Sequence, residues 1–412
     1  MRRLVVASAI LATLLTTPLG ALAASPSPSA GPSASAAAAD SAQATAALEY
    51  LLAAQGADGS IDKSIGETAD FVIGAAAAGY DPGTLHGCDA GDGALTYLAT
   101  ASDAAVTDAA KTGKTILAVI AAGEDPSQFA GRNLLARLSA LYDAATGAYG
   151  DGSTFGQAFA ILALKTSGGT VPAGATAELA ALQDSDGSWS YGKAPVAAGG
   201  GDTNSTAIAL IALDAAGIHT ADTTGLAYLA TQQLADGGFP YQNASTFGAP
   251  ASDPDSDSIV LQALLAAGQD PTAAAWSKGS NNVLTNLRAG QAADGGYAYP
   301  GSPENAFTTV QVPAALVHSP YGAVAHPKYE ASVPNSRCPN VIAAASPTPI
   351  ASPSARPTAA ASATANASGQ SGQSGGSSGW DKAEILLAIG LLLVLVLLLA
   401  GGGLMMVRSR RR

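Results

Sequence analysis

A short pattern that returns in phase along the chain constrains its fold more than any other feature. Gln-x-x-Asp-Gly, then Gly or Ser, then a large apolar residue, occurs at 55–61, 183–189, 233–239 and 291–297. Each occurrence follows an apolar stretch of helical character: ALEYLLAA, AELAAL, LAYLATQ and VLTNLRA. Weaker copies fill the gap, one starting at Leu95 and one running from Leu134 to Gly150. Copies begin again every 40 to 58 residues, which makes six. A period of that size marks an array of supersecondary units, each unable to bury its apolar face alone.

Every copy has a second helical half. These halves open at Thr68, Thr112, Thr154, Thr206, Asp257 and Asn305, residues whose side-chain oxygens suit a helix N-terminus. Several stop at Gly, as at Gly79, Gly123, Gly217 and Gly268, and three of those are followed by Asp-Pro. The second helices read apolar nearly all round (FVIGAAAA, ILAVIAA, AFAILAL, AIALIAL), as expected of helices buried on every side. The first helices keep charges such as Glu49, Arg137, Glu178 and Arg288. The expectation is an all-α fold of six two-helix repeats, inner helices apolar and outer helices amphipathic, stacked as a solenoid or, if the ends meet, closed into an (α/α)6 toroid.

The ends set the expected compartment. Arg2 and Arg3, an apolar run over 4–19 and Ala21-Leu22-Ala23 form a secretory signal peptide, 1–23. Residues 385–407 are 23 uncharged, mostly apolar residues followed by Arg408, Arg410, Arg411 and Arg412. As a helix at 1.5 Å per residue they span about 35 Å, enough for one membrane crossing with the basic tail 408–412 inside. Segments 24–43 and 341–380 are rich in Ser, Ala, Pro, Thr and Gly and read as a disordered linker and a stalk. The toroid is expected over 44–340, monomeric, outside the cell and tethered to its membrane.

Residues 24–380 carry 12 basic and 29 acidic side chains, a formal charge of −17, which disfavours nucleic acid as a partner. An exported chain with two cysteines is expected to hold one disulfide. Cys88 lies just after the first copy and Cys338 just after the sixth, so a Cys88–Cys338 bond would latch a closed ring.

The phased QxxDGGF pattern with a capped apolar helix resembles the prenyltransferase and squalene-oxidase repeat. That repeat builds the α/α toroid of terpenoid cyclases, of protein prenyltransferase β-subunits and, more distantly, of cobalamin-binding proteins. Class II cyclases carry DxDD at an inner helix and protonate an alkene with its middle acid. Here Asp255 and Asp257 match the first and middle acids, and Ser258 replaces the last. The resemblance makes Asp255 and Asp257 candidate catalytic acids on an isoprenoid; an acidic helix cap is the other reading of the same residues. The zinc-binding Cys and His of prenyltransferases have no counterparts in the matching stretches, Asp257-Ser258-Ile259 and Phe307-Thr308-Thr309, so no metal is expected. His86, His219, His318 and His326 fall in or near expected loops and read as solvated.

Aromatic residues make up only 5% of the chain, against the ring-rich lining that carbocation chemistry uses. Three pairs of them follow the Asp-Gly turns: Trp189/Tyr191, Phe239/Tyr241 and Tyr297/Tyr299. The first of each pair is expected to plug the gap between helices. The second, Tyr191, Tyr241 and Tyr299, with Asp202 and Asn204, is a candidate ligand-binding rim. The expected role is a surface binding module for a hydrophobic small molecule or a surface partner, with cyclase-type catalysis as the alternative. No cofactor is expected; a cobalamin-type ligand is implied by the resemblance alone.

Overall fold

The computed structural model describes residues 34–338 except 90, 102–105, 107, 193–199, 243–249, 324–328 and 330, with the backbone alone at 34–36. The expected signal peptide, the stalk and the apolar run 385–407 lie outside the described residues. Among the described residues no helix is long and apolar enough to cross a membrane.

In chain order the helices are α1 (Ala34–Ala54), α2 (Ile65–Ala77), α3 (Ala94–Ala101), α4 (Ala109–Ala121), α5 (Leu134–Ala140) and α6 (Thr154–Thr166). They continue as α7 (Ala173–Ala181), α8 (Thr203–Ala215), α9 (Asp222–Gln232), α10 (Pro254–Ala266), α11 (Val283–Gly290), α12 (Ala306–Thr309) and α13 (Val312–Leu316). The even-numbered helices from α2 to α10 pack each on the next, α10 packs on α13, and α13 packs back on α2. That cyclic order is a closed ring. The sixth inner helix is broken into α12 and α13 next to Pro313, which lacks the N–H an unbroken helix needs. The odd-numbered helices α1 to α11 lie against the inner ones from outside, α1 touching both α13 and α2.

Inner helices are buried along most of their length, and Ile208 to Leu213 of α8 are at most 1% exposed. Each inner helix is capped by a side-chain oxygen that accepts a backbone N–H three residues on: Ser64, Asp108, Ser153, Asp202, Asp253 and Asn305. Four of these helices therefore begin up to a turn before the expected openings Thr68, Thr112, Thr206 and Asp257, which stand four residues past the caps. Asp257 is not the cap of α10; Asp253 is.

The repeat motif joins neighbouring copies. Gln233 Nε2 donates to Gly237 O at 3.0 Å within its own loop and to Trp276 O at 2.8 Å in the next copy. Gln55 does the same to Gly59 O and Leu85 O, and Gln291 to Gly295 O and Gln43 O. The Asp of each motif accepts the N–H two residues on and holds the turn, as Asp236 does from Gly238. The Gly after it must be Gly for two reasons. Gly237 has φ 86°, and a Cβ there would lie 2.3 Å from Asn282 N of the adjacent copy. Gly217 has φ 78° with open space around it. Gly237→Ala is expected to cost roughly 3 kcal/mol or more, and Gly217→Ala about 1 kcal/mol. Equal costs in urea denaturation would contradict the inter-copy contact.

The ring's seam lies between the last copy and α1. Arg288 donates to both oxygens of Asp40, at 2.6 and 2.7 Å, and Asp40 is 2% exposed. Across the same seam Gln43 Nε2 donates to Arg288 O, and Gln291 Nε2 donates to Gln43 O. The segment 34–43, expected as linker, is therefore helical and structural from Ala34 onward. Its alanines carry the strongest helix propensity, and Asp40 is drawn in by Arg288. The expected latch is present: Cys88 and Cys338 are bonded, at a sequence separation of 250.

Candidate functional site

The site begins with helix geometry. Counted from each cap, positions two and six share one face, because they are four residues apart; position four lies about 200° away from position two. Position four holds Thr68, Thr112, Gln157, Thr206, Asp257 and Thr309. Five of these side chains, Thr68, Gln157, Thr206, Asp257 and Thr309, turn into the wall and accept the N–H of an apolar residue in the preceding loop. Ile61 N donates to Thr68, Trp189 N to Thr206 and Tyr297 N to Thr309, each at 2.9 Å. Tyr149 N donates to Gln157 Oε1. Asp257 makes the same bond, from Phe239 N at 2.6 Å, and accepts a second from Asn286 Nδ2 at 2.7 Å. The loop residues so anchored, Trp189, Phe239 and Tyr297, are fully buried, matching the plug expected of them.

Positions two and six face the bore. Position six supplies Asp70, Lys114, Phe159, Ile208, Ile259 and Gln311; position two supplies Phe155, Asn204, Asp255 and Phe307 among others. Asp255 accepts from Asn204 Nδ2 of α8 at 2.9 Å and from Gln311 Nε2 beside α13. Lys114 Nζ donates to Asp70 Oδ2 at 2.7 Å and sits 4.9 Å from the centre of the Phe159 ring. Tyr321 enters from the far end of the ring. Its hydroxyl donates to Asp70 Oδ1 at 2.6 Å, and its N–H donates to Gln262 Oε1 at 3.0 Å. The bore is thus polar at its core. The apolar lining expected of the inner helices fails there because the stretches read as apolar start after their first turn, where these groups lie.

One side of the bore is aromatic. The rings of Tyr191 and Phe155 are 5.6 Å apart, Phe155 and Phe159 6.2 Å, Phe159 and Tyr321 5.4 Å, a ladder from the mouth to the floor. Tyr191, Tyr241, Tyr299 and Phe307 are the large hydrophobic side chains exposed among the described residues, at 65, 43, 49 and 47%. All four stand at the N-terminal end of the inner helices, on the Asp-Gly loops or the first turn. That end is the mouth.

Asp255 and Asp257 do not form an acid pair. Two residues apart on a helix, they point to opposite sides, one into the bore and one into the wall. The Asp255 carboxyl is pushed up to about 7, first by burial and then by the charge of Asp253, against the pull of Lys114. Burial pushes Asp257 up as well, and Asp253 and Asp236 add to it. Asp202 is the cap of α8, 1% exposed and bonded to Ser205 N and Oγ, so it is committed to structure rather than open to a ligand. Asn204 faces the bore through Asp255; Tyr191, Tyr241 and Tyr299 stand at the mouth. Glu67, Asp70, Lys114, Phe155, Phe159, Gln311 and Tyr321 were missed by the sequence reading; aligning the copies on the caps rather than on the motif glutamine puts Asp70, Lys114, Phe159 and Gln311 in one column.

The raised Asp255 carboxyl sets a pH dependence. The unfolded chain releases this proton near pH 4, the folded chain only near 7. Between those values the folded state binds more protons, so folding stability falls as pH rises from about 4 to 7. Asp255→Asn is expected to flatten this slope, read from urea denaturation at about pH 5 and 7.5. An undiminished slope would show that other carboxyls carry it.

Two features lie outside the bore. A cleft of about 240 Å³ sits beside Asp257, lined by Ser252, Asn286, Leu287 and Tyr297. His219, expected to be solvated, places Nδ1 2.5 Å from Asp214 Oδ1 and 3.2 Å from Asp222 Oδ2 while remaining exposed.

No family model matches the chain, and no curated protein matches it. Among solved structures it is similar to the type II terpene cyclase MstE from Scytonema, at 16% identity and TM-score 0.48, over 68% of this chain and 98% of that one. A variant of MstE in complex with geranylgeranyl dihydroxybenzoate gives 16% and 0.49, over 70% and 99%. The ent-copalyl diphosphate synthase from Streptomyces platensis gives 18% and 0.42, over 63% of this chain and 49% of that one.

Proposed function

We propose that the ring is a binding module whose mouth admits a hydrophobic or amphipathic small molecule. The observation that carries this reading is the clustering of all four exposed large hydrophobic side chains of the described residues at one end of the ring, where the aromatic ladder begins. Exposed apolar surface gathered in one place is a recognition surface rather than a random scatter. Native mass spectrometry of the full chain with a panel of isoprenoids, lipids and corrinoids tests it. The expected result is one molecule retained per chain, and its loss in the Tyr191→Ala/Phe155→Ala variant. Retention of nothing from the panel would leave the ring a structural element.

A second reading has its own observation. Asp255 lies in the bore with a carboxyl that keeps its proton to about pH 7, as a general acid acting on an isoprenoid alkene requires. Asp255, and not Asp257, would be that acid. Against it, Asn204 and Gln311 both donate to the Asp255 oxygens, an arrangement that favours the ionised form. Incubation with a linear isoprenoid in heavy water distinguishes the readings: deuterium carried into a cyclised product, and lost in Asp255→Asn, supports catalysis.

The signal sequence, the stalk and the apolar run 385–407 support display of the module outside the cell on a single membrane anchor.

A further inference from the structure

We infer that the bore selects an organic cation: an ammonium or amidinium group set at Asp255, on an apolar body that lies along Phe155 and Tyr191. This rests on the binding-module reading and names the class of its ligand.

The inference follows from donors and acceptors. Asp70 and Asp255 face the bore from positions six and two, Tyr321 donates to Asp70 there, and Glu67, its Oε2 buried, is near enough for its charge to act on the same hydroxyl. Lys114 is the cation whose charge reaches both Glu67 and Asp255 among the described residues, and it is bound to Asp70 at 2.7 Å. Among the described residues no cation is bonded to Asp255; its direct partners there are two neutral amides. Those amides spend their N–H groups on Asp255. Their oxygens, Asn204 Oδ1 and Gln311 Oε1, are buried without a partner, as is Glu67 Oε2. The bore therefore holds a surplus of acceptors and of negative charge, which a donor-rich cation complements and an anion or a pure hydrocarbon does not.

The chain itself carries a cation in this environment. Lys114 places its ammonium against a carboxylate and over two rings, 4.9 Å from the centre of Phe159 and 5.7 Å from that of Tyr321. Phe155 continues that wall toward the mouth, 6.2 Å from Phe159. A ring face and a carboxylate together attract a desolvated cation more than either does alone.

The test uses three probes with one ten-carbon body: geranylamine, geraniol and geranic acid, measured by isothermal titration at about pH 7.5 on the full chain in detergent. The expected result is that geranylamine binds about tenfold more tightly than geraniol and that geranic acid binds weakest. Asp255→Asn, which keeps size and shape, should bring geranylamine to within about twofold of geraniol while geraniol is unchanged. Equal affinity for the amine and the alcohol, or a preference that survives Asp255→Asn in a variant of unchanged melting temperature, would overturn the cation assignment and leave the binding module standing. Failure of all three probes to bind would count against both.

Discussion

Replacing Cys88 and Cys338 together by serine is expected to lower the unfolding free energy by as much as about 5 kcal/mol, or roughly 10 °C in melting temperature. The bond closes a loop with a sequence separation of 250 residues, nearly the whole ring, so cutting it releases a very large unfolded ensemble. The folded ring should survive, because the seam has other contacts. Arg288 holds Asp40 through two bonds, Gln43 and Gln291 cross between the last copy and α1, and α13 packs on α2. Scanning calorimetry under oxidising conditions should therefore give one cooperative transition at lower temperature. An unchanged melting temperature would mean that the seam alone closes the ring.

The second large effect separates a wall residue from a site residue. Asp257→Leu is expected to cost about 2–4 kcal/mol, because it leaves the buried Phe239 N–H without its acceptor and the Asn286 amide with Ser252 Oγ alone. Asp257→Thr should cost far less, on the order of 1 kcal/mol, since Thr68, Thr206 and Thr309 make the equivalent bond in three other copies. It should also leave ligand binding intact. A well-folded Asp257→Thr that has lost binding or turnover would return Asp257 to the candidate site.

Those two predictions mark where the sequence could be read. The motif glutamines and Asp-Gly turns revealed the copy number, the ring and the cysteine latch, because each copy repeats the same contacts to its neighbour. The burial of Trp189, Phe239 and Tyr297 and the exposure of Tyr191, Tyr241 and Tyr299 followed from their order after the turn. The bore was harder. Asp255 and Asp257 are separated only by Ser256 in the sequence, and only the helix, entered at the Asp253 cap, sends them to opposite sides. Asp70, Lys114 and Gln311 are single polar residues in three different copies, with no shared motif. They meet because a closed ring brings position six of every inner helix to one axis. Asp40 was hidden for a different reason: an Ala- and Ser-rich segment reads as linker until a partner, the half-buried Arg288, gives it a place to pack.

The most direct measurement is a crystal structure of the complex with a ligand that the chain retains. The account predicts the molecule at the mouth, its apolar part against Tyr191 and Phe155 and its polar group within hydrogen-bond distance of Asp255. A ligand found instead in the cleft beside Asp257 and Asn286, or at the opposite end of the ring among Lys165, Thr166 and Tyr321, would contradict it.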